Sequence, residues 1–179
     1  MMRFAHKAMR RFARKEDGNA TIEFAVLFMP MFVTMLWAVE LGMIHINYAM
    51  LERAVDATAR DLRLATGTAP QHDDIRDVIC ERTGFVQDCA NNLRIEMILI
   101  DPNNWSPPPA TVDCADVSQP VEPVREFVNN AQSNELMFMR VCAKFDPFMP
   151  HIGMGGSIIK DGAGKYALVS SSAFVQEPR

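Results

Sequence analysis

The pattern of apolar and polar residues divides this chain into a long apolar segment, an amphipathic segment and a mixed C-terminal part. The run from Phe24 to Val39 contains 16 residues without a charge. After Glu40 the apolar character continues to Ile46, which brings the segment close to the roughly 20 residues that a helix needs to cross a membrane. We therefore predict a transmembrane helix over residues 19–48.

Two carboxylates and a proline mark this predicted span. At 1.5 Å per residue, Glu23 and Glu40 lie roughly 25 Å apart along a helix, which is close to the thickness of the hydrocarbon layer. Each carboxylate is therefore expected near one membrane boundary, and a specific contact with a neighbour is the alternative for Glu40. Pro30 lacks a backbone N–H, so we expect it to kink the helix.

The segment after the predicted span has the periodicity of an amphipathic helix. Between residues 49 and 64 the apolar positions recur at helical spacing, with charged residues between them. This stripe predicts a rod that packs on the protein's own sheet. Its members are Leu51, Ala54, Val55, Thr58 and Leu62.

The rest of the chain predicts short helices and three strands. We expect a helix from Gln71 to Arg82 and a weaker one over residues 122–132. Strands are predicted over Leu93–Asp101, Glu135–Phe145 and Tyr166–Val175, and the second is apolar on both faces, as in a central strand. The predicted fold class is α+β, with the long N-terminal helix packed on a small antiparallel sheet.

The charge distribution gives the expected orientation in a membrane. Residues 1–15 carry six basic residues and no acid, whereas residues 19–179 carry 20 acids and 12 basic residues. A basic block before an apolar helix is retained in the cytoplasm, so residues 49–179 should lie on the other side. We therefore predict a single-pass membrane protein, with a basic cytoplasmic leader over residues 1–18 and a C-terminal domain across the membrane.

Four cysteines lie in the part that this topology exports. An even number of cysteines in an oxidising compartment favours two disulfides, and four cysteines allow three connectivities. We favour Cys80–Cys89 together with Cys114–Cys142, because the first pair closes a short local loop. None of the spacings resembles the Cys-x-x-Cys of a zinc site, so no metal and no other cofactor is predicted.

No catalytic motif emerges from the sequence. The run Gly162-Ala163-Gly164-Lys165 invites a phosphate-loop interpretation, but Ile159 stands where the motif needs a glycine and Tyr166 where it needs serine or threonine. A loop between strands is the better interpretation. We predict no catalytic residues and no enzymatic activity.

The N-terminal residues carry a family resemblance. The run Gly18-x-Ala20-x-x-Glu23-Phe24-Ala25-x-x-x-x-Pro30, followed by Glu40-x-Gly42, resembles the TadE-like family, which comprises minor pilins or pseudopilins of the tight-adherence (Tad) branch of type IV pili. The resemblance implies a pilin-like fold and a part in assembling an adherence pilus.

The resemblance also implies a processing site and an assembly contact. Residues 1–18 would be a prepilin leader, which a prepilin peptidase cuts between Gly18 and Asn19. Glu23 would then be the fifth residue of the mature chain, where pilins keep a glutamate that neutralises the N-terminal amine of an adjacent subunit. Tad pilins typically have tyrosine where this chain has Phe24, and Asn19 is an unusual first residue for a mature pilin.

The implied partners are other pilin subunits, the inner-membrane assembly machinery and a prepilin peptidase, and no nucleic acid is expected. The resemblance also implies that the mature protein stays in the bacterial inner membrane, with its C-terminal domain in the periplasm, or enters an extracellular pilus. The alternative function is an uncleaved, membrane-anchored periplasmic binding or scaffolding protein. A soluble protein released by signal peptidase is a third possibility, but it would need cleavage beyond Val39, where no convincing site occurs.

Overall fold

The computed structural model describes residues 19–65, 70–116, 118, 124, 126–128 and 134–178. The chain forms two compact units, Met1–Val39 and Glu40–Arg179, and each is described by itself. The predicted leader over residues 1–18 lies outside the described residues.

The described elements are four helices and three strands. Helix α1 covers Asn19–Leu64 and runs from the first unit into the second. The remaining elements belong to the second unit and follow in the order α2 (His72–Thr83), α3 (Cys89–Asn92), β1 (Leu93–Ile100), β2 (Leu136–Phe145), α4 (Gly153–Ser157) and β3 (Tyr166–Val175). The predicted α+β class, with a long N-terminal helix and a small antiparallel sheet, is confirmed.

Helix α2 has recognisable signals at both ends. The backbone N–H of Gln71 donates to the Asp74 carboxylate at 3.0 Å, which satisfies one of the donors at the helix start. Gly84 ends the helix in the left-handed conformation with φ of 61°, which glycine adopts without steric cost. These signals explain why the predicted bounds were within one residue of the observed ones.

The sheet has the order β1-β2-β3, and both pairings are antiparallel. Strand β2 is therefore central, as its two apolar faces predicted. One face of β2 packs on the rod of α1, where the predicted stripe is buried apart from Leu62, which is partly buried. The core residues from the rod are Leu51, Ala54, Val55 and Ala59, and those from β2 are Met137, Met139, Val141 and Ala143.

The opposite face of the sheet carries a buried ion pair. Glu96 on β1 stands directly across from Arg140 on β2, and the Arg140 Nε donates to Glu96 Oε2 at 2.6 Å. The same guanidinium donates to the carbonyl oxygens of Pro109 at 2.9 Å and Thr111 at 3.3 Å. Residues 101–114, which we call the proline-rich loop, are thus tied to the sheet by hydrogen bonds to a charged group, which are stronger than neutral ones.

The predicted helix over residues 122–132 is wrong at residues 126–128. Phe127 forms a parallel bridge with Met97, and the Met97 backbone N–H donates to the Glu126 carbonyl at 3.1 Å. The Val128 N–H returns a bond of 2.9 Å to the Met97 carbonyl. This segment therefore pairs with the free edge of β1, which provides backbone partners that a weak helical sequence does not. Residues 122–123, 125 and 129–132 lie outside the described residues.

The glycine-rich run before β3 is a connecting turn, as predicted. The Asp161 carboxylate accepts from the backbone N–H groups of Ala163 at 3.0 Å and Lys165 at 2.9 Å, and from the Lys144 ammonium at 2.9 Å. Burial raises the pKa of Asp161, but these donors outweigh it and hold the pKa below the usual value. Gly164 has φ of 80°, which explains a glycine at this point of the turn.

Candidate functional site

The first unit, as far as it is described, is an apolar helix with mostly exposed side chains. Large apolar residues are exposed all around it, including Ile22, Phe24, Val26 and Met29 at 58 to 66%. The rings of Phe24, Phe28 and Phe32 stack in sequence, with centroids 5.3 and 5.7 Å apart. A helix that is apolar on every side belongs in a membrane or in an assembly.

Helix α1 contains one candidate membrane span among the described residues. The helix is long and apolar enough to cross a membrane, its most apolar 18-residue window has a mean hydropathy of 2.0, and none of that window is buried in the protein. This helix fits a single-pass membrane anchor.

Glu23 is a charged group within this apolar surface. It is exposed, and it forms no hydrogen bond or ion pair with any other residue in the described part of the chain. Its neighbours Ile22 and Phe24 are exposed apolar residues. An isolated carboxylate costs several kcal/mol when it leaves water, so an apolar environment would require a cationic partner from outside these residues.

Pro30 lies inside α1, and the helix is continuous through it. Because proline has no N–H, the carbonyl of Val26 lacks its usual helical donor. The hydroxyl of Thr34, one turn further on, donates to the Met31 carbonyl at 2.8 Å. The kink at Pro30 stays a prediction.

Glu40, the first residue of the second unit, has a different environment. It is 1% exposed, and its Oε1 accepts a hydrogen bond of 3.2 Å from the backbone N–H of Met149. Gly155 also packs against this carboxylate, since a Cβ there would overlap Oε1. The second oxygen, Oε2, is buried without a partner among the described residues. The structure thus shows a specific contact between Glu40 and a neighbouring segment of the chain, and its place near a membrane boundary stays a prediction.

An open cavity of about 400 Å³ lies beside Glu40 within the second unit. Its walls combine aromatic and apolar side chains with a few polar groups, which is the composition of a typical binding cleft. Besides Glu40, the residues that line it include Met43, Ile44, Asn47, Phe85, Phe148 and Tyr166.

Tyr166 is the polar group of this cavity with a perturbed pKa. Burial raises the pKa of its hydroxyl, and the charges of Glu40 and Asp146 raise it further. The side-chain amide of Asn47 donates to the hydroxyl oxygen at 3.2 Å, which acts in the opposite direction. Burial is thus the main reason why the pKa of this hydroxyl is raised.

Both disulfides lie in the second unit, in the connectivity favoured from the sequence. Cys80–Cys89 links α2 to α3 across nine residues, and Cys114–Cys142 links the proline-rich loop to β2 across 28 residues. No group of three or more histidine, cysteine, aspartate or glutamate residues in the described ranges could hold a metal ion.

Of the residues predicted to function, the structure describes Glu23, Pro30 and the four cysteines, whereas Gly18 lies outside the described residues and only the backbone of Asn19 is described. The sequence did not predict that Glu40 contacts Met149 and Gly155. The signal available was the isolated charge at the end of the 16-residue uncharged run, but nothing in the sequence linked it to residues 149 and 155.

Comparison with known proteins supports the N-terminal resemblance. A family model described as TadE-like protein matches residues 18–60, which confirms the similarity given above for this segment. No curated protein and no solved structure matches the chain. The matched segment contains Glu23, Pro30 and Glu40, whereas the sheet and both disulfides follow it.

Proposed function

We propose, from the TadE-like match over residues 18–60, that this protein is a structural minor pilin or pseudopilin that takes part in assembling a Tad-type adherence pilus. The match suggests a protein associated with the Tad pilus, in a family that is structural rather than enzymatic. The minor-pilin role, the partners and the place of each residue in assembly belong to the proposal.

The single observation that carries the proposal is the exposed carboxylate of Glu23, which lies in an apolar helix and has no partner among the described residues. In a low-dielectric environment a carboxylate and an ammonium each cost much alone and far less as a pair. The new amine of Asn19 on an adjacent subunit would be such an ammonium if the bond after Gly18 is cut. Glu23 then acts as the docking charge that aligns one subunit with the next.

The surroundings of Glu23 support this role. The stacked rings of Phe24, Phe28 and Phe32 give the helix a continuous aromatic ridge that neighbouring helices can pack on. The same exposed surface is compatible with lipid, so one helix can serve first as a membrane anchor and later as the packed core of a filament.

The test of the docking role is substitution of Glu23 in cells that make the pilus. Glu23→Ala and Glu23→Gln both remove the charge, so we expect surface pili to fall to background while the protein still inserts into the membrane and forms its disulfides. Thr21→Ala is the matched control, because Thr21 is an exposed polar residue of the same helix without a charge. Normal piliation by Glu23→Ala would contradict the docking role.

Cleavage is tested separately by N-terminal mass spectrometry of protein extracted from membranes with active prepilin peptidase. We expect the mature chain to begin at Asn19, and Gly18→Asp, which replaces the small residue before the cut, should leave the leader attached. A chain that keeps residues 1–18 would show that the protein is not processed at this bond.

A second candidate function is an uncleaved, membrane-anchored periplasmic binding or scaffolding protein. The cavity of about 400 Å³ beside Glu40 and Tyr166 favours it, because such a cleft can receive a partner side chain. This function would leave Gly18 and Glu23 dispensable and would make the exported domain essential. The Glu23 variants therefore distinguish the two candidates.

A further inference from the structure

The segment between β2 and β3 contains an uncharged loop, residues 147–159, which we call loop 147–159. Its sequence is PFMPHIGMGGSII, with histidine as the only titratable side chain. Three of its large apolar residues are exposed: Phe148 at 64%, Ile152 at 71% and Ile159 at 94%. A surface loop that combines apolar side chains with no charge indicates a contact with a membrane or another apolar surface.

Hydrogen bonds hold the backbone of loop 147–159 in place. The Lys160 ammonium donates to the carbonyl oxygens of Pro150 at 2.6 Å and Gly155 at 2.7 Å. The Ile158 N–H donates to the Met154 carbonyl at 2.9 Å and closes the short helix α4. The exposed side chains are thus presented from a fixed backbone.

Loop 147–159 packs on the side chain of Glu40. The Met149 N–H donates to Glu40 Oε1, and Gly155 packs against the same carboxylate. Glu40 is bonded directly to Val39, the last residue of the 16-residue uncharged run. Chain connectivity alone therefore ties the loop to the residue at which the apolar run ends.

The charges at the borders of the loop are already engaged. Asp146 pairs with Lys165 at 2.7 Å, and Lys160 is used by the loop carbonyls. No carboxylate lies between residues 147 and 159, so an approach to lipid would bury no acid of the loop. This composition favours a lipid surface over a partner that binds through ion pairs.

We propose that loop 147–159 is a second membrane contact, which inserts Phe148 and Ile152 into the lipid headgroup region on the side where α1 leaves the bilayer. Amphipathic surface elements of this kind penetrate about 5–10 Å into the boundary between headgroups and acyl chains. The contact would hold the exported domain against the membrane before assembly. It depends on the anchor helix but not on the pilin function, so it stands if the Glu23 experiments fail.

The test uses the full chain in vesicles of phosphatidylethanolamine and phosphatidylglycerol that contain lipids brominated near the headgroup. Phe148→Trp is placed in a background with Trp37→Phe and Trp105→Phe, which leaves one tryptophan as the probe. The matched control carries only Trp37→Phe and keeps Trp105, which is 63% exposed in the proline-rich loop. We expect quenching of the introduced tryptophan to exceed quenching of Trp105 by at least about twofold, as an interfacial position requires.

Ile152→Trp in the same background is a second probe, which decides the result if Phe148→Trp fails to form both disulfides. Strong quenching of either folded probe by the shallow bromines supports the membrane contact. Quenching no greater than that of Trp105 overturns it. A blue-shifted emission without quenching also overturns it, because another protein surface would then cover the loop.

Discussion

Glu23 and Glu40 are carboxylates of the same helix, and they differ in exposure and in hydrogen bonding. Glu23 is exposed between apolar neighbours and has no partner in the described part of the chain. Glu40 is 1% exposed and accepts a hydrogen bond from Met149. The first carboxylate is available for an outside group, and the second is part of the folded second unit.

The comparison shows how an apolar environment constrains a charge. A buried charge needs a partner, and the partner comes either from the same chain or from another molecule. For Glu40 the same chain provides a backbone N–H, and the second oxygen has no partner among the described residues. For Glu23 a partner would come from another molecule or from residues of this chain outside the described ranges, which is why we propose an assembly role for Glu23 and a structural role for Glu40.

After the loss of pili expected for Glu23→Ala, we expect the largest change from removing the disulfides of the second unit, which should lower its stability. Replacing Cys114 and Cys142 together by serine removes a link across 28 residues. The chain-entropy relation for disulfides gives a loss of about 3.5 kcal/mol in the free energy of unfolding. Urea unfolding of the full chain in detergent, followed by pulse proteolysis, measures this loss.

The shorter disulfide is the matched control. Replacing Cys80 and Cys89 removes a link across nine residues, so the same relation gives about 2.5 kcal/mol. Neither change should affect membrane insertion of residues 19–39, which have no cysteine. Release of the protein from membranes by either pair of substitutions would contradict the claim that residues 19–39 anchor the protein independently of the folded second unit.

A smaller loss of stability tests the contact between Gly155 and the Glu40 carboxylate directly. A Cβ on Gly155 would overlap the Glu40 carboxylate and would lie 2.5 Å from the Met149 carbonyl oxygen. We therefore expect Gly155→Ala to destabilise the second unit by about 1–3 kcal/mol, the usual cost of overpacking. Urea unfolding of the same preparation measures it.

Gly42→Ala is the control for this substitution, because a Cβ there meets nothing within 4 Å and alanine favours the helix by up to about 1 kcal/mol. Adding Glu40→Ala to Gly155→Ala should recover part of the loss, with a coupling of about 0.5–3 kcal/mol. Strictly additive effects would mean that Gly155 and the carboxylate do not touch.

Much of the fold could be predicted because its signals are local. The residues Asp74 and Gly84 mark the ends of α2, and the alternation along Leu136–Phe145 identifies a strand that is apolar on both faces. The segment around Phe127 was predicted wrongly because its conformation comes from the edge of β1, which is remote in sequence. Local propensity cannot detect such a partner.

The candidate site divides in the same way. Glu23 could be identified because an acid near the start of an uncharged run stands out in the sequence, and the family model covers it. The contact between Glu40 and Met149 could not be identified from the sequence, because the two residues are 109 positions apart. Only the folded structure shows that Met149 and Gly155 reach this carboxylate.

The smallest change that we expect is a change in the pKa of Tyr166 when the charge of Glu40 is removed. Burial raises the pKa of Tyr166 above its ordinary value of 10.0, and the negative charge of Glu40 adds to this increase. Because the folded-state pKa is raised, the resulting stability is fully present below pH 10 and is lost as the pH rises through the folded-state pKa.

Glu40→Gln removes that charge and should lower the pKa of Tyr166 without returning it to the ordinary value, because burial remains the main cause of the increase. A Tyr48→Phe background leaves Tyr166 as the only tyrosine, so its phenolate absorbance can be followed during an alkaline titration. Glu23→Gln in the same background should leave the titration unchanged, since the charges that act on Tyr166 are those of Glu40 and Asp146. An equal shift from both variants would mean that the two carboxylates are not distinguished by their surroundings, and the contrast between them would fail.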